Sequence, residues 1–231
     1  MKRCQDPTYY SFKNYFKSII LLFRDDNKHQ IMLNNIIKLD QNQEEVINKA
    51  SEIIKSGGVS VLPFDTIYGI CADACNDGAV RRIIDLKQRG PEKPIGVAVD
   101  SIDKINNITV LDEKSKLLIE EKIPGKFTFI LKSKSGNGVS NLCRKGDTIG
   151  VRVPDSDLIL SIIRESGLVL AQTSANIAGG GNITSIDELR EQFGENFNNI
   201  DLIVDGGQLE NPVPSMIIDM TGDELKRVER S

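Results

Sequence analysis

The chain predicts an α/β domain with a mixed β-sheet, and two observations carry that reading. Short apolar runs of strand length alternate with segments whose apolar residues recur about every three to four positions. The helical segments open on Asn, Asp or Ser and close near Gly, where unsatisfied backbone groups at helix ends need such partners. At 231 residues, 39% of them hydrophobic, the chain can bury one sizeable core.

The elements follow in order. Asn35 to Leu39 predicts a first strand, and Asp40 is positioned to cap a helix bearing Val46, Ile47, Ala50, Ile53 and Ile54, which Gly57-Gly58 ends. Val59 to Pro63 reads as a buried strand, followed by a loop carrying Asp65-Thr66-Ile67-Tyr68-Gly69. Asn76 or Asp77 caps a second helix through Leu86, and Pro94 to Val99 is the next strand. A helix from Asp112 to Lys122 leads through Pro124-Gly125 into strand Phe127 to Lys132. Thr148 to Val153 alternates Ile149, Val151 and Val153, the strand period. Asp155 opens a helix with Leu158, Ile159, Ile162 and Ile163, and Leu168 to Gln172 is a short strand. Ser185 and Glu188 form a capping-box pattern for a helix reaching Phe193. Leu202 to Val204, Met216 to Asp219 and Leu225 to Arg230 close the domain as strands. We expect a domain at 34–231, preceded by an extension at 1–33 that lacks a core pattern.

Charge and composition narrow the function. Residues 1 to 39 hold seven Lys/Arg against three Asp/Glu, or +4; the remaining residues hold 22 against 30, or −8. An acidic body argues against a broad nucleic-acid footprint and leaves room for a local basic pocket. The four cysteines show no zinc spacing and read as buried small hydrophobes in a reducing compartment. His29, the only histidine, lies in the extension, so the body holds no His-based triad or His-rich metal site. The apolar run Ser18 to Phe23 is far shorter than the ~20 residues of a membrane span, so a cytoplasmic protein is expected. Neither GxxxxGK[ST] nor GxGxxG occurs.

Three segments could carry chemistry. Lys87 and Arg89 follow a helix end; an Arg fork and a Lys point charge suit phosphate or carboxylate oxygens. By spacing alone, they equally suit the helix dipole. Thr173-Ser174-Ala175-Asn176 ends a strand, a usual ligand position in α/β sheets, and equally suits an Asx or capping turn. Thr66 and Tyr68 sit at another strand end, where Tyr68 alone reads as a buried ring.

Read in sequence, Pro63-Phe64-Asp65-Thr66-Ile67-Tyr68-Gly69, Leu86-Lys87-Gln88-Arg89, Lys93-Pro94-Ile95 and Pro124-Gly125-Lys126-Phe127-Thr128 form one series. It continues with Gly150-Val151-Arg152-Val153-Pro154, Thr173-Ser174-Ala175-Asn176, Asp205-Gly206-Gly207 and Ser215-Met216-Ile217-Ile218-Asp219. The series resembles the YrdC/TsaC family of L-threonylcarbamoyladenylate synthases over residues 35 to 231.

The resemblance implies a single domain with a twisted mixed sheet, flanked by helices, around a concave basic cavity. It implies a nucleotidyltransferase that makes threonylcarbamoyl-AMP and pyrophosphate from L-threonine, bicarbonate and ATP. The product serves the threonylcarbamoyladenosine modification of tRNA, through a downstream threonylcarbamoyl transferase. Carried over by position, Lys87 and Arg89 would hold the phosphates and carbamate as the catalytic pair. Thr66 and Tyr68 would line the threonine side, with Thr128 and Arg152 on the wall. Ser174 and Asn176 would contact nucleotide or threonine, and Ser215 the phosphates. The late arginine matches Arg230, with Arg227 as competitor. Mg²⁺ would come with ATP, and no dedicated protein metal site is expected.

Departures from the family pattern are Phe64 for a usual Thr, Lys126 for a frequent Pro, Ala98 for a frequent His, and Met216-Ile217 for Thr-Val. The end at Ser231 sets the expectation of a short form without the additional C-terminal domain. Two rival readings are a non-catalytic double-stranded RNA or tRNA-binding module, and a carbamoyl-transfer enzyme.

Overall fold

Asn and Ser side chains start five of the helices, because their oxygens reach an N–H three residues on. The structure, a computed structural model, describes residues 36–229 except 41, 91, 210, 211 and 223. The expected extension at 1–33 and Arg230 lie outside the described residues. Asn42 Oδ1 accepts from Glu45 N at 3.3 Å and opens α1 (Gln43–Lys55). Asn76 caps α2 (Asp77–Leu86), Ser101 caps α3 (Ile102–Ile108) and Asp112 caps α4 (Glu113–Glu120). Ser156 caps α5 (Asp157–Ser166), and Ser185 caps α6 (Ile186–Phe193). Two caps differ from the sequence expectation: Asn42 replaces Asp40 and Ser156 replaces Asp155, because Asn42 and Ser156 directly precede the first helical turn, with extended backbone. Ser185 Oγ meets Glu188 N as expected, but Glu188 Oε2 turns back to Thr184 N at 2.7 Å, one residue earlier than a capping box has it.

The strands are β1 (Ile36–Lys38), β2 (Ser60–Pro63), β3 (Tyr68–Asp73), β4 (Gly96–Ala98), β5 (Phe127–Lys132), β6 (Arg144–Lys145), β7 (Thr148–Arg152), β8 (Leu170–Ser174), β9 (Leu202–Asp205), β10 (Met216–Asp219) and β11 (Lys226–Val228). They form one mixed sheet in the order β1-β9-β2-β3-β8-β4-β7-β5-β10-β11, with β6 paired to β7. Helices cover both faces. One core packs Ile70, Val97, Val151 and Phe129 under α2, α3 and α4; the other packs Leu62, Cys71, Ala98 and Leu170 under α1 and α5. β3 and α3 were not expected from the sequence. Tyr68 to Asp73 is buried along its length and lacks the alternation of a half-buried strand, while α3 spans only two turns.

The register decides which side chains share a face, because cross-strand partners and alternate residues do so. Gly69 lies opposite Ser174, Gly96 opposite Gln172, and Ala98 opposite Arg152; Gly150 lies opposite Ile130. Ser174, Gln172, Arg152 and Thr128 therefore stand on one face, with glycines at 69, 96 and 150 between them. Tyr68, one residue before Gly69, stands on the opposite face, in the core under α2.

Candidate functional site

Helix α2 stops at Leu86, and Lys87 sends its side chain from there to the turn after β8. Lys87 Nζ donates to Ser174 O at 2.6 Å, Asn176 O at 2.5 Å and Asn176 Oδ1 at 3.1 Å. Its own carbonyl accepts from Ala178 N at 2.9 Å. With 3% of its surface exposed, its ammonium is pushed down to about 7, first by burial and then by the Arg89 charge. Three oxygens in its three donor directions act the other way, favouring the charged form. Gln88 has φ of 50°, a left-handed turn that sends the chain on to Arg89.

Arg89 is held more loosely. Nη1 reaches Thr173 Oγ1 at 3.4 Å and Nη2 reaches Pro94 O at 3.2 Å, while Nε is buried without a hydrogen-bond partner among the described residues. Burial lowers its pKa, and Glu92 opposes that shift. The turn itself is tied on three further sides. Ser174 Oγ donates to Asn176 Oδ1 at 2.5 Å, Ala175 N to Tyr68 O at 2.8 Å, and Ile177 N to Gln192 Oε1 at 2.8 Å. Asn176 Nδ2 donates to Gly180 O at 2.8 Å.

A second cation lies on the glycine-lined face. Arg152 Nη2 donates to both Asp65 oxygens, at 2.6 and 2.8 Å, and Nη1 to Thr66 Oγ1 at 3.4 Å. The two charged side chains are 4% and 3% exposed. The guanidinium lies over the Phe64 ring, 5.9 Å from its centroid. That ring takes the space above Gly69, where a Cβ would come within 2.6 Å of it.

On β5, Thr128 Oγ1 lies 2.7 Å from the Ser215 hydroxyl at the start of β10. Tyr68 is wholly buried; its OH donates to Gly207 O at 2.8 Å and accepts from Gly206 N at 2.9 Å. Burial pushes its phenol up to about 12. The structure thus gathers Lys87 with Ser174 and Asn176, Arg152 with Thr66, and Thr128 with Ser215, and it turns Tyr68 to the opposite face. Arg227 is exposed on β11. Two surface hollows, of about 460 and 430 Å³, lie over α1 and between Arg82 and Asn199, and are lined by none of these residues.

Sequence reasoning missed three participants. Asp65 belongs to the Pro63–Gly69 segment, which the sequence singles out for Thr66 and Tyr68 and not for a partner of Arg152. The signal was available: a basic residue ending a buried strand needs a carboxylate. Phe64 was read as a replacement, not as the surface under a guanidinium. Gln192, on α6, had no local signal, since its partner Ile177 lies fifteen residues away.

The sequence that carries these turns and cations matches a known family. A family model described as "Telomere recombination", the Sua5/YciO/YrdC model, matches residues 52–231. The chain belongs to the Sua5/YciO/YrdC family. It is similar to a relative from Methanocaldococcus jannaschii, 34% identical over 197 residues that cover 83% of this chain and 90% of the relative. It is also similar to the threonylcarbamoyl-AMP synthase of Bacillus subtilis, 32% identical over 178 residues, covering 77% of this chain and 51% of that protein. Pyrococcus abyssi Sua5, solved in complex with L-threonine, superposes with a TM-score of 0.75 at 28% identity, covering 84% of this chain and 56% of that one. The chain therefore spans about half the length of the B. subtilis and P. abyssi relatives. Among the described residues, no group of three or more His, Cys, Asp or Glu could hold a metal ion, and no helix is long and apolar enough to cross a membrane.

Proposed function

We propose that this chain joins L-threonine, bicarbonate and ATP into threonylcarbamoyl-AMP, releasing pyrophosphate, for tRNA modification. The single observation that carries the proposal is the strand-end turn at Ser174–Asn176 with two cations, Lys87 and Arg89, converging on it from α2. The synthase name of the B. subtilis relative and the threonine complex of P. abyssi Sua5 support it.

The chemistry follows from charge. Threonine nitrogen and bicarbonate combine to a carbamate anion with loss of water. A carbamate oxygen then bonds the α-phosphorus of ATP, the bond to the bridging oxygen breaks, and pyrophosphate leaves. Every reactant is anionic, so the site must neutralise and align rather than supply a covalent nucleophile. Lys87 and Arg89 supply positive charge with no carboxylate hydrogen-bonded to them among the described residues. Thr66 belongs to the threonine side, Arg152 and Thr128 to the wall, Ser215 to the phosphates, and Ser174 and Asn176 to the bound reactants. Tyr68 stands on the α2 face of the sheet, the side from which Lys87 and Arg89 come, and its hydroxyl fixes Gly206 and Gly207. Mg²⁺ would arrive on the triphosphate and be held by phosphate oxygens, adding charge neutralisation to that of the two side chains.

The proposed setting is the cytoplasm, with a downstream threonylcarbamoyl transferase, and tRNA as the eventual acceptor. The test is incorporation of labelled bicarbonate into an adenylate in the presence of ATP and threonine. Label should appear only with both present. Label transfer that requires carbamoyl phosphate would point instead to a carbamoyl-transfer enzyme, and tRNA binding without turnover to an RNA-binding module.

A further inference from the structure

We propose that Gln172 is a specificity-determining residue: its side-chain amide receives the side-chain hydroxyl of the amino-acid substrate, in a trough that Gly96 and Gly150 leave on the sheet. Resting on the synthase reading given above, this adds the group that tells threonine from an amino acid without the hydroxyl.

Gln172 on β8 lies opposite Gly96 on β4, Gly96 runs beside Gly150 on β7, and Gly150 lies opposite Ile130 on β5. Two neighbouring strands thus present no side chain in this row. With strands about 4.8 Å apart, the gap from Gln172 to Ile130 is about 14 Å between backbones. A Cβ on Gly96 would have only the carbonyl oxygens of Gly150 and Gln172 within 4 Å, at 3.5 and 3.6 Å, among the described residues. Gln172, Gly96, Gly150 and Ile130 are each partly exposed, whereas the alternate residues Ala171, Val97, Val151 and Phe129 are buried in the core under α2, α3 and α4. The trough is open.

Its two ends differ in chemistry. Gln172 Nε2 stands over Gly69, 3.1 Å from where a Cβ would be, beside the Phe64 ring, and the amide makes no hydrogen bond to a described residue. A hydroxyl is the smallest group that, like an amide, both donates and accepts. At the other end stand Ile130 and the Thr128 methyl, which lies 3.6 Å from where a Cβ on Gly150 would be. A carbon bearing one hydroxyl and one methyl satisfies both ends. A base lying here would find no free ring to stack on, because Phe64 already packs against Gly69 and under the Arg152 guanidinium. Ala98, diagonal to Gln172 on this face, carries a methyl where the family pattern frequently has His, so the polar end of the trough is that of Gln172.

Calorimetry on the intact protein with ATP and Mg²⁺, in bicarbonate-free buffer, tests this with two probes: L-threonine, and L-2-aminobutyrate, the same skeleton without the hydroxyl. The wild type should bind threonine roughly tenfold or more tighter than 2-aminobutyrate. Gln172→Met keeps the length of the side chain and removes the amide. It should weaken threonine binding roughly tenfold and move 2-aminobutyrate by less than about twofold, so that the preference disappears. Gln172→Ala should lose the preference as well, and both variants should keep the wild-type urea midpoint, because the amide bonds nothing in the protein. Variants that keep the wild-type preference, or weaken both amino acids alike, would overturn the role. Pyrophosphate release with bicarbonate restored separates it from the proposed reaction. A preference that depends on Gln172 without any release sinks the reaction and leaves the role of the residue standing. Threonine-dependent release with an unaltered preference in Gln172→Met does the reverse. No binding of either amino acid to the wild type would overturn both.

Discussion

Lys87 and Arg152 are both buried cations near strand ends, and the protein satisfies them in opposite ways. Arg152 is closed by the carboxylate of Asp65, both oxygens engaged, with an aromatic face beneath it. Its charge is cancelled. Lys87 is surrounded by neutral oxygens and the guanidinium of Arg89, so positive charge accumulates there and burial pushes its ammonium down to about 7. The contrast separates a cation that shapes a wall from a pair of cations that leaves the end of β8 positive. Anionic reactants should collect at the second.

Breaking the Arg152 side gives the largest expected effect. Asp65→Ala leaves a buried guanidinium without its carboxylate, and a loss of about 3–5 kcal/mol in urea unfolding is expected. A loss under ~1 kcal/mol would mean the pair is open to water. Next comes Lys87→Met, which should cost about 1–3 kcal/mol, the scale for orphaned buried acceptors. Gly69→Ala should cost a similar amount, near 1–3 kcal/mol, since the new methyl meets the Phe64 ring and must push it off Arg152. Tyr68→Phe removes one hydroxyl that bridges Gly206 and Gly207, for about 1 kcal/mol.

A pH series sharpens the same contrast. The Lys87 ammonium is lowered from 10.5 to about 7 in the folded state. Between those values the unfolded chain binds more protons, so this residue makes stability rise with pH across that window. The penalty is fully present below pH about 7. Lys87→Met should flatten the rise, and an unchanged slope in that variant would assign the rise to another group.

Much of this was legible in the sequence, for physical reasons that can be named. Helix α5 was legible because Leu158, Ile159, Ile162 and Ile163 keep one apolar face, and β7 because Ile149 and Val151 alternate with half-buried positions. The segments Thr66, Lys87-Arg89 and Thr173–Asn176 each had a purely structural reading, and only their order joined them into one candidate site. In the structure Lys87 occupies the C-cap position of α2, and its ammonium reaches the turn after β8. What was not legible depended on contacts far apart in sequence. The Asp65–Arg152 pair joins residues 87 positions apart. The side on which Tyr68 falls is set by the β3–β8 register, which no local pattern records.

The central claim is that Lys87 and Arg89 make the end of β8 an anion site for ATP and carbamate. The most direct measurement is pyrophosphate release from ATP, dependent on both threonine and bicarbonate, in the wild type and in a folded Lys87→Ala, Arg89→Ala double variant. The account predicts release that needs both co-reactants and falls by at least about 10²-fold in the variant. Release that persists unchanged in the variant would contradict it.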